Sequence, residues 1–561
     1  MTEKKNLVGN AQTLRPAQVA GCTPAQVVQW LAEQDLTARE LQGTRVITGL
    51  TMDSREVQEG DLYVALGGAK AHGASFVEAA LKLGASALLT DAEGLEIAQA
   101  STDIPDDFGI IICEDLRRAV GPLSARIYNS QPDDGSAPRL FAMTGTNGKT
   151  TSTYMINSIM KALDHTTGLI GTIEILAGGQ AIPSKLTTPE SPHVHSLIAL
   201  MREQNITAAA MEVSSHALDY LRVDGIRYDI SGFTNLTQDH LDQHGTMQSY
   251  FESKAELFTP QRSRRAVITV DDEWGEKMAR GAADAMGAEN VVRLTTAHGA
   301  GLTALPAHCG AGDWALVDVA RHGIGHTFTV QRGDGTMLTT STQLPADFNV
   351  SNAALAAVMV YESASDGAER ELIKKVLADS ATLTPVVPGR MQLISTAPTA
   401  LVDFAHNPDA LKRALEAIEP ASSEGKIIVV FGATGERDQT KRPIMGEIAA
   451  SYADIVVVTD DDPHGEAAAP IREAIVAGAL AAVEGGARAR QVLNLEPRSH
   501  AIAEAINLAG PADSILIAGR GHEVAQDVAG TDIELDDRVE TAKALEEAGF
   551  VVLEAYSTER K

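Results

Sequence analysis

Short aliphatic runs, closed by Gly, Asp or Asn and followed by helix-patterned stretches, recur along this chain. They lie at 61–68 (DLYVALGG), 85–90 (ASALLT), 109–115 (GIIICED), 139–150 (RLFAMTGTNGKT), 426–438 (KIIVVFGATGERD), 454–466 (DIVVVTDDDPHGE) and 513–523 (DSILIAGRGHE). Unbroken apolar runs of this length predict strands buried on both faces, with functional loops at their carboxyl ends. The polar, turn-rich SQPDDGSAPR (130–139) predicts a linker, and TPVVPGRMQ (384–392) precedes a fresh set of strand-like runs. The pattern predicts three α/β domains, 1–137, 138–386 and 387–561. A length of 561 residues agrees, because it exceeds what one hydrophobic core normally supports.

Composition narrows the function. Aliphatic side chains abound while aromatics make up only 4%, which suits helix-on-sheet layers. A formal net charge of −29 argues against a nucleic-acid binder or a protein of anionic membranes, both of which need a positive field. Cys22, Cys113 and Cys309 form no CxxC pair and are odd in number, so neither a disulfide framework nor a zinc site is indicated. The amino terminus has lysines but no apolar segment after them, so a soluble cytoplasmic protein is expected, and a monomer.

An acidic protein that binds phosphate must gather its positive groups locally. LFAMTGTNGKTTSTYMINSIMKAL (140–163) does so: an apolar strand enters Gly145, Thr146, Asn147, Gly148, Lys149, Thr150 and Thr151, and a helix follows. Glycines let backbone N–H groups converge on an anion at the helix start. Lys149 can reach terminal phosphates and the Thr150 hydroxyl can ligate Mg²⁺. Met143 stands where the general phosphate-loop pattern has its first Gly.

Further on, AAAMEVSSHAL (208–218) is a strand-like run ending in Glu212, followed by FTNLTQDHLDQHGTMQSYFESKAELF (233–258). If SYFESKAELF is helical, Tyr250, Phe251, Leu257 and Phe258 share a face with Lys254. Burial among them would lower its pKa, leaving an amine able to take up CO₂ as a carbamate. A snorkelling lysine with its ammonium in water fits the same spacing.

The variant GTNGKTT resembles the ATP loop of the Mur ligases and of their relative folylpolyglutamate synthetase, and segments spread over most of the chain agree. The resemblance implies an ATP-dependent amide-bond ligase acting on a peptidoglycan precursor, with ATP and Mg²⁺. It implies Glu212 and His240 on a second Mg²⁺ with Thr150 on the first, and a carboxylated Lys254 in the YFxxKxxLF context. The segment 52–89 looks like the uridine-nucleotide domain of the later Mur ligases, with Ser54, Ala69, Lys70 and Ala71 at the UDP-sugar; folylpolyglutamate synthetase lacks it. Thr187, Thr188, Ser214 and Arg222 match the lining of a dipeptide substrate, although Leu186 and Tyr220 replace the family's Asn and Gln. In the Rossmann-like C-terminal domain Arg390, Asp403 and Asn352 of the central domain would meet ATP, Arg390 neutralising phosphate.

The acceptor amino acid would be held by Arg437, Asp461, Asp462, His464, Gly519 and Glu523. Ligases that use diaminopimelate carry Asp-Asn-Pro-Arg where this chain has Asp461-Asp462-Pro463-His464. A neutral imidazole offers no fork for a second carboxylate, and Asp461, Asp462 and Glu466 add negative charge. The expected reaction is addition of a third amino acid, L-lysine or ornithine, to UDP-MurNAc-dipeptide through an acyl phosphate. A diaminopimelate-adding ligase, a folylpolyglutamate-type ligase and a regulatory P-loop NTPase are the alternatives.

Overall fold

The computed structural model describes residues 14–556 apart from 69–70, 178–179, 298–304, 306–308, 419 and 421. Three α/β domains are built on three sheets. The first has five strands in the order Ala38–Gln42, Gly109–Cys113, Ala87–Thr90, Asp61–Val64, Gly49–Thr51, parallel except at the Ala38–Gln42 edge. The second has eleven strands and is parallel around Arg139–Thr144, which lies between Ala208–Glu212 and Ile230–Phe233. The third has six, with Ser514–Ala518 between Thr399–Asp403 and Ile427–Phe431.

Each predicted strand run forms a strand, because helices cover both faces and reward an uninterrupted apolar sequence. Ile427–Phe431 and Ser514–Ala518 are buried at every residue, and Arg139–Thr144 at all but its first. Core side chains therefore fall in paired clusters on opposite faces of one sheet, such as those of Val429 with Leu516 and of Val430 with Ile517. The apolar run at 61–68 is shorter than expected: the strand stops at Val64 and the chain turns to bring Gly73 N to Leu66 O (2.8 Å). No helix among the described residues is long and apolar enough to cross a membrane.

Candidate active site

The phosphate loop follows Thr144. Gly145 (φ +141°) and Gly148 (φ +93°) hold left-handed backbone, and a Cβ on either would collide with Thr234 Oγ1 or Asn352 Oδ1. Gly148 caps the helix Lys149–Ala162 without a side chain, so the first N–H groups of that helix remain available to an anion. Lys149 Nζ donates to the carbonyls of Gly145 (3.0 Å) and Thr146 (2.9 Å). Burial lowers its pKa, opposed by Glu212. Asn147, Gly148, Thr151, Asn352, Arg390 and Asp403 line one cleft between the central and C-terminal domains.

Glu212 ends its strand fully buried. Its carboxylate accepts Thr150 Oγ1 (2.9 Å), Thr172 N (2.8 Å) and Thr172 Oγ1 (3.0 Å), and Thr172 Oγ1 lies 3.1 Å from Thr187 Oγ1. Thr188 Oγ1 donates to the Glu212 carbonyl (2.9 Å) and accepts from Ser214 N (3.1 Å). Arg222 pairs with Glu190 (2.7 Å), which Arg117 of the first domain also engages (2.9 Å). The expected dipeptide lining is thus assembled beside the phosphate loop. Leu186 and Tyr220 are exposed there. Thr172 belongs to no motif, and sequence reasoning missed it.

His240 adopts φ +52°, and its imidazole is pushed down to about 3 by burial, against the pull of Asp239. It stands edge-on to His216 with ring centroids 4.8 Å apart. Among the described residues no three His, Cys, Asp or Glu side chains are grouped to hold a metal by themselves. The hydroxyl–carboxylate pair of Thr150 and Glu212 fits Mg²⁺, which prefers oxygen and is normally completed by phosphate and water.

Lys254 is 1% exposed at the end of the helix Met247–Ala255. Its Nζ donates to Gly145 O (2.9 Å) and sits 4.5 Å from the Tyr250 ring centroid. The snorkelling alternative is excluded. Burial, then Lys149, pushes its amine well below the usual lysine range. One detail differs: the helix ends at Ala255, so Leu257 and Phe258 reach the core from the following turn, and Phe251 packs on Trp274 (5.5 Å). His244 stacks on Tyr250 (4.8 Å) and hydrogen-bonds Ser215 (3.0 Å), a supporting contact.

From the C-terminal domain, Arg390 Nη2 donates to Thr150 Oγ1 (3.3 Å) while its guanidinium stacks on Phe404 (4.3 Å). Asp403 accepts from the backbone N–H groups of Met391 (2.6 Å) and Ala405 (2.9 Å), so it fastens the segment carrying Arg390. The contact between the two domains also uses residues sequence reasoning passed over, Asn407, Asp239 and Asp409: Asn407 donates to Asp239 (3.2 Å), and Asn147 of the phosphate loop to Asp409 (3.0 Å).

Where the sequence places the acceptor pocket, Gly519 (φ +115°) lies where a Cβ would be 2.6 Å from Asp461 Oδ2. That oxygen is buried without a hydrogen-bond partner. Burial, then Asp461, pushes the Glu523 carboxyl up to about 8. Arg437 is exposed at the rim, 3.8 Å from Asp242. The expectation that the acidic loop acts as free negative charge is corrected. Asp460 pairs with Arg472, Asp462 with Arg520, and Glu466 with Arg442 through two 2.8 Å bonds. Their charges are spent within the fold.

At the other end, an open cavity is lined by Ser54, Ala71, Tyr63, Phe76, Lys185 and His193. Ala69 and Lys70 lie outside the described residues.

Models of the Mur ligase family, catalytic domain, of the Mur ligase middle domain, and of the Mur ligase, glutamate ligase domain match residues 46–119, 143–360 and 389–521. A UDP-N-acetylmuramyl-tripeptide synthetase of Leifsonia xyli is 40% identical over 515 residues, 91% of this chain and 94% of that protein. The chain belongs to the Mur ligase family. It is accordingly an ATP-dependent amide-bond ligase. A UDP-N-acetylmuramoyl-L-alanyl-D-glutamate--2,6-diaminopimelate ligase of Streptomyces coelicolor is 39% identical over 93% of this chain and 96% of its own length. A solved structure of a ligase of that same name superposes with a TM-score of 0.57 at 28% identity, covering 90% of this Mur ligase and 96% of its own chain.

Proposed function

We propose that this ligase adds the third amino acid to UDP-MurNAc-L-alanyl-D-glutamate in the cytoplasm, and that the amino acid is L-lysine or ornithine. The observation that carries the reaction type is the unbroken path Thr150–Glu212–Thr172–Thr187, which joins the phosphate loop to the dipeptide lining. The boundaries 1–137, 138–386 and 387–561 then separate the binding of UDP-sugar, of ATP, and of amino acid.

The γ-phosphoryl group of ATP passes to the γ-carboxylate of the dipeptide's D-glutamate, giving an acyl phosphate and ADP. The acceptor's α-amine then attacks the acyl carbon, and phosphate leaves from the tetrahedral intermediate. Lys149 and Arg390 face the transferring phosphoryl from opposite domains and offset its charge. Thr187, Thr188, Ser214 and Arg222 hold the carboxylate in line. Mg²⁺ held at Thr150, and a second held by Glu212 and His240 with a carboxylated Lys254, would supply further positive charge. Closure through Asn407, Asp239, Asn147 and Asp409 keeps water from the labile acyl phosphate.

For the acceptor, the unpartnered Asp461 Oδ2 beside Glu523 suits an ammonium. The guanidiniums that would otherwise fork a second carboxylate are already engaged: Arg520 by Asp462, Arg442 by Glu466 and Arg498 by Asp537. The alternative, meso-diaminopimelate, is favoured by the name of the Streptomyces relative. Incubating the protein with ATP, the UDP-MurNAc-dipeptide and single amino acids, and weighing the products, tests both levels. Phosphate release without any amide product would refute the ligase reading. Efficient use of diaminopimelate over lysine would refute the acceptor.

A further inference from the structure

The hairpin Ala525–Val528 with Thr531–Glu534 lies along the acceptor loop. Asp527 N donates to Asp462 Oδ1 (3.2 Å), Gln526 donates to the Asp461 carbonyl, and Ala529 N donates to His464 O (2.7 Å). His464 takes left-handed backbone (φ +51°) to join this ladder, and its Nδ1 lies 2.8 Å from Asp527 Oδ2. Asp460, Asp462 and Glu466 are each answered by a guanidinium, whereas Asp527 is answered by an imidazole and by the Gly530 N–H (2.8 Å), with a third of its side chain exposed to solvent.

We propose that Asp527 is a specificity-determining residue: a fixed carboxylate, held by His464, that meets the far end of the acceptor's side chain, admits an ammonium and excludes a second carboxylate. This rests on the reading of a lysine-type acceptor. A second substrate carboxylate arriving at His464 finds the imidazole already taken and a like charge beside it. Like charges brought together under partial desolvation are penalised far more than a missing attraction, which makes this arrangement selective by exclusion. An ε-ammonium meets the opposite situation, since Asp527 has oxygen lone pairs to offer it.

The pair also predicts a non-additive result. In His464→Arg alone, the new guanidinium would fork Asp527 and stay occupied, leaving lysine preferred. In His464→Arg/Asp527→Ala the guanidinium is free, and the preference should reverse toward the dicarboxylate. The experiment compares kcat/KM for L-lysine and meso-diaminopimelate in wild type, Asp527→Asn, His464→Arg and the double variant. Expected are a wild-type preference for lysine, a fall in that preference of about tenfold or more in Asp527→Asn, and reversal in the double variant only. If Asp527 merely pinned the hairpin, both substrates would suffer alike and the ratio would not move. An unchanged ratio in Asp527→Asn and in the double variant therefore overturns the proposal while leaving the lysine reading intact. A wild type that prefers diaminopimelate overturns the lysine reading itself, and this proposal with it.

Discussion

Replacing Lys254 by Ala should abolish most activity while leaving the fold in place, and the structure says how strongly the site is biased toward a modified lysine. The Nζ atoms of Lys149 and Lys254 hydrogen-bond the same oxygen, Gly145 O, at 3.0 and 2.9 Å. They are therefore no more than about 6 Å apart, and at an effective dielectric of about 20 two positive charges there repel by about 3 kcal/mol. That is about two pKa units, in addition to the larger cost of burying Lys254. One of the pair is driven neutral, and burial selects Lys254. Its free amine can add CO₂, forming an N–C bond and releasing one proton to solvent. The product is an anion, so the repulsion from Lys149 becomes an attraction of similar size, and an oxygen ligand set for Mg²⁺ gains a member.

Removing one preorganised charge of this kind costs about 10²–10³ in kcat. The assay is phosphate release and amide formation by Lys254→Ala, with and without high acetate, which can enter the vacated space and stand in for the carbamate. Carbon-13 NMR of wild-type protein equilibrated with labelled bicarbonate should show a carbamate resonance that Lys254→Ala lacks. A folded Lys254→Ala enzyme with wild-type turnover, or a wild type that shows no carbamate and no bicarbonate dependence, would refute the reasoning.

Two buried charged sites in the C-terminal domain give further expected outcomes. Glu523, raised to about 8, holds its proton below that pH, so the KM for the amino acid should fall as pH rises through about 8, and Glu523→Gln should raise the KM and flatten the profile. The linkage sign is that of a raised carboxyl: its contribution to stability is complete below the ordinary 4.5 and is lost as pH climbs through about 8. Urea denaturation across that window should therefore show a downward slope that Glu523→Gln reduces. Arg498 and Asp537 form a fully buried bidentate pair (2.8 and 2.7 Å), and Arg498 also holds the carbonyls of Asp460 (3.0 Å) and Ala518 (2.8 Å). Asp537→Ala strands that cation and should lower the unfolding free energy by about 3–5 kcal/mol in a denaturant titration; a loss under about 1 kcal/mol would contradict the pairing.

What was legible in the sequence divides along a physical line. The strands and the phosphate loop could be read because their determinants are neighbours in the chain: an apolar run buried on both faces, two left-handed glycines, and a helix start without a side-chain cap. The antiparallel strands Trp314–His322 and Gly325–Arg332 were not read, since their outer halves alternate burial only loosely and no loop chemistry marks them. Thr172 was invisible for another reason. It sits in a turn and acquires meaning only through Glu212, forty residues on.

The acidic loop at 460–466 makes the same point with charge. Along the chain Asp461, Asp462 and Glu466 look additive and together suggest a field attractive to an ε-ammonium, with Asp460 a plain acidic turn residue beside them. In space Arg472, Arg520 and Arg442 arrive from three other elements and cancel all but Asp461. Transfer chemistry needs groups at fixed short spacing and so leaves a mark in sequence. Selectivity among acceptors depends on which charges remain unanswered after folding, and on the reading proposed above that residue set, Asp461, Glu523 and the His464–Asp527 pair, comes from two loops some sixty residues apart. Substitutions that alter acceptor choice should therefore fall at Asp461, His464, Glu523 and Asp527, the last of them in the hairpin 525–534.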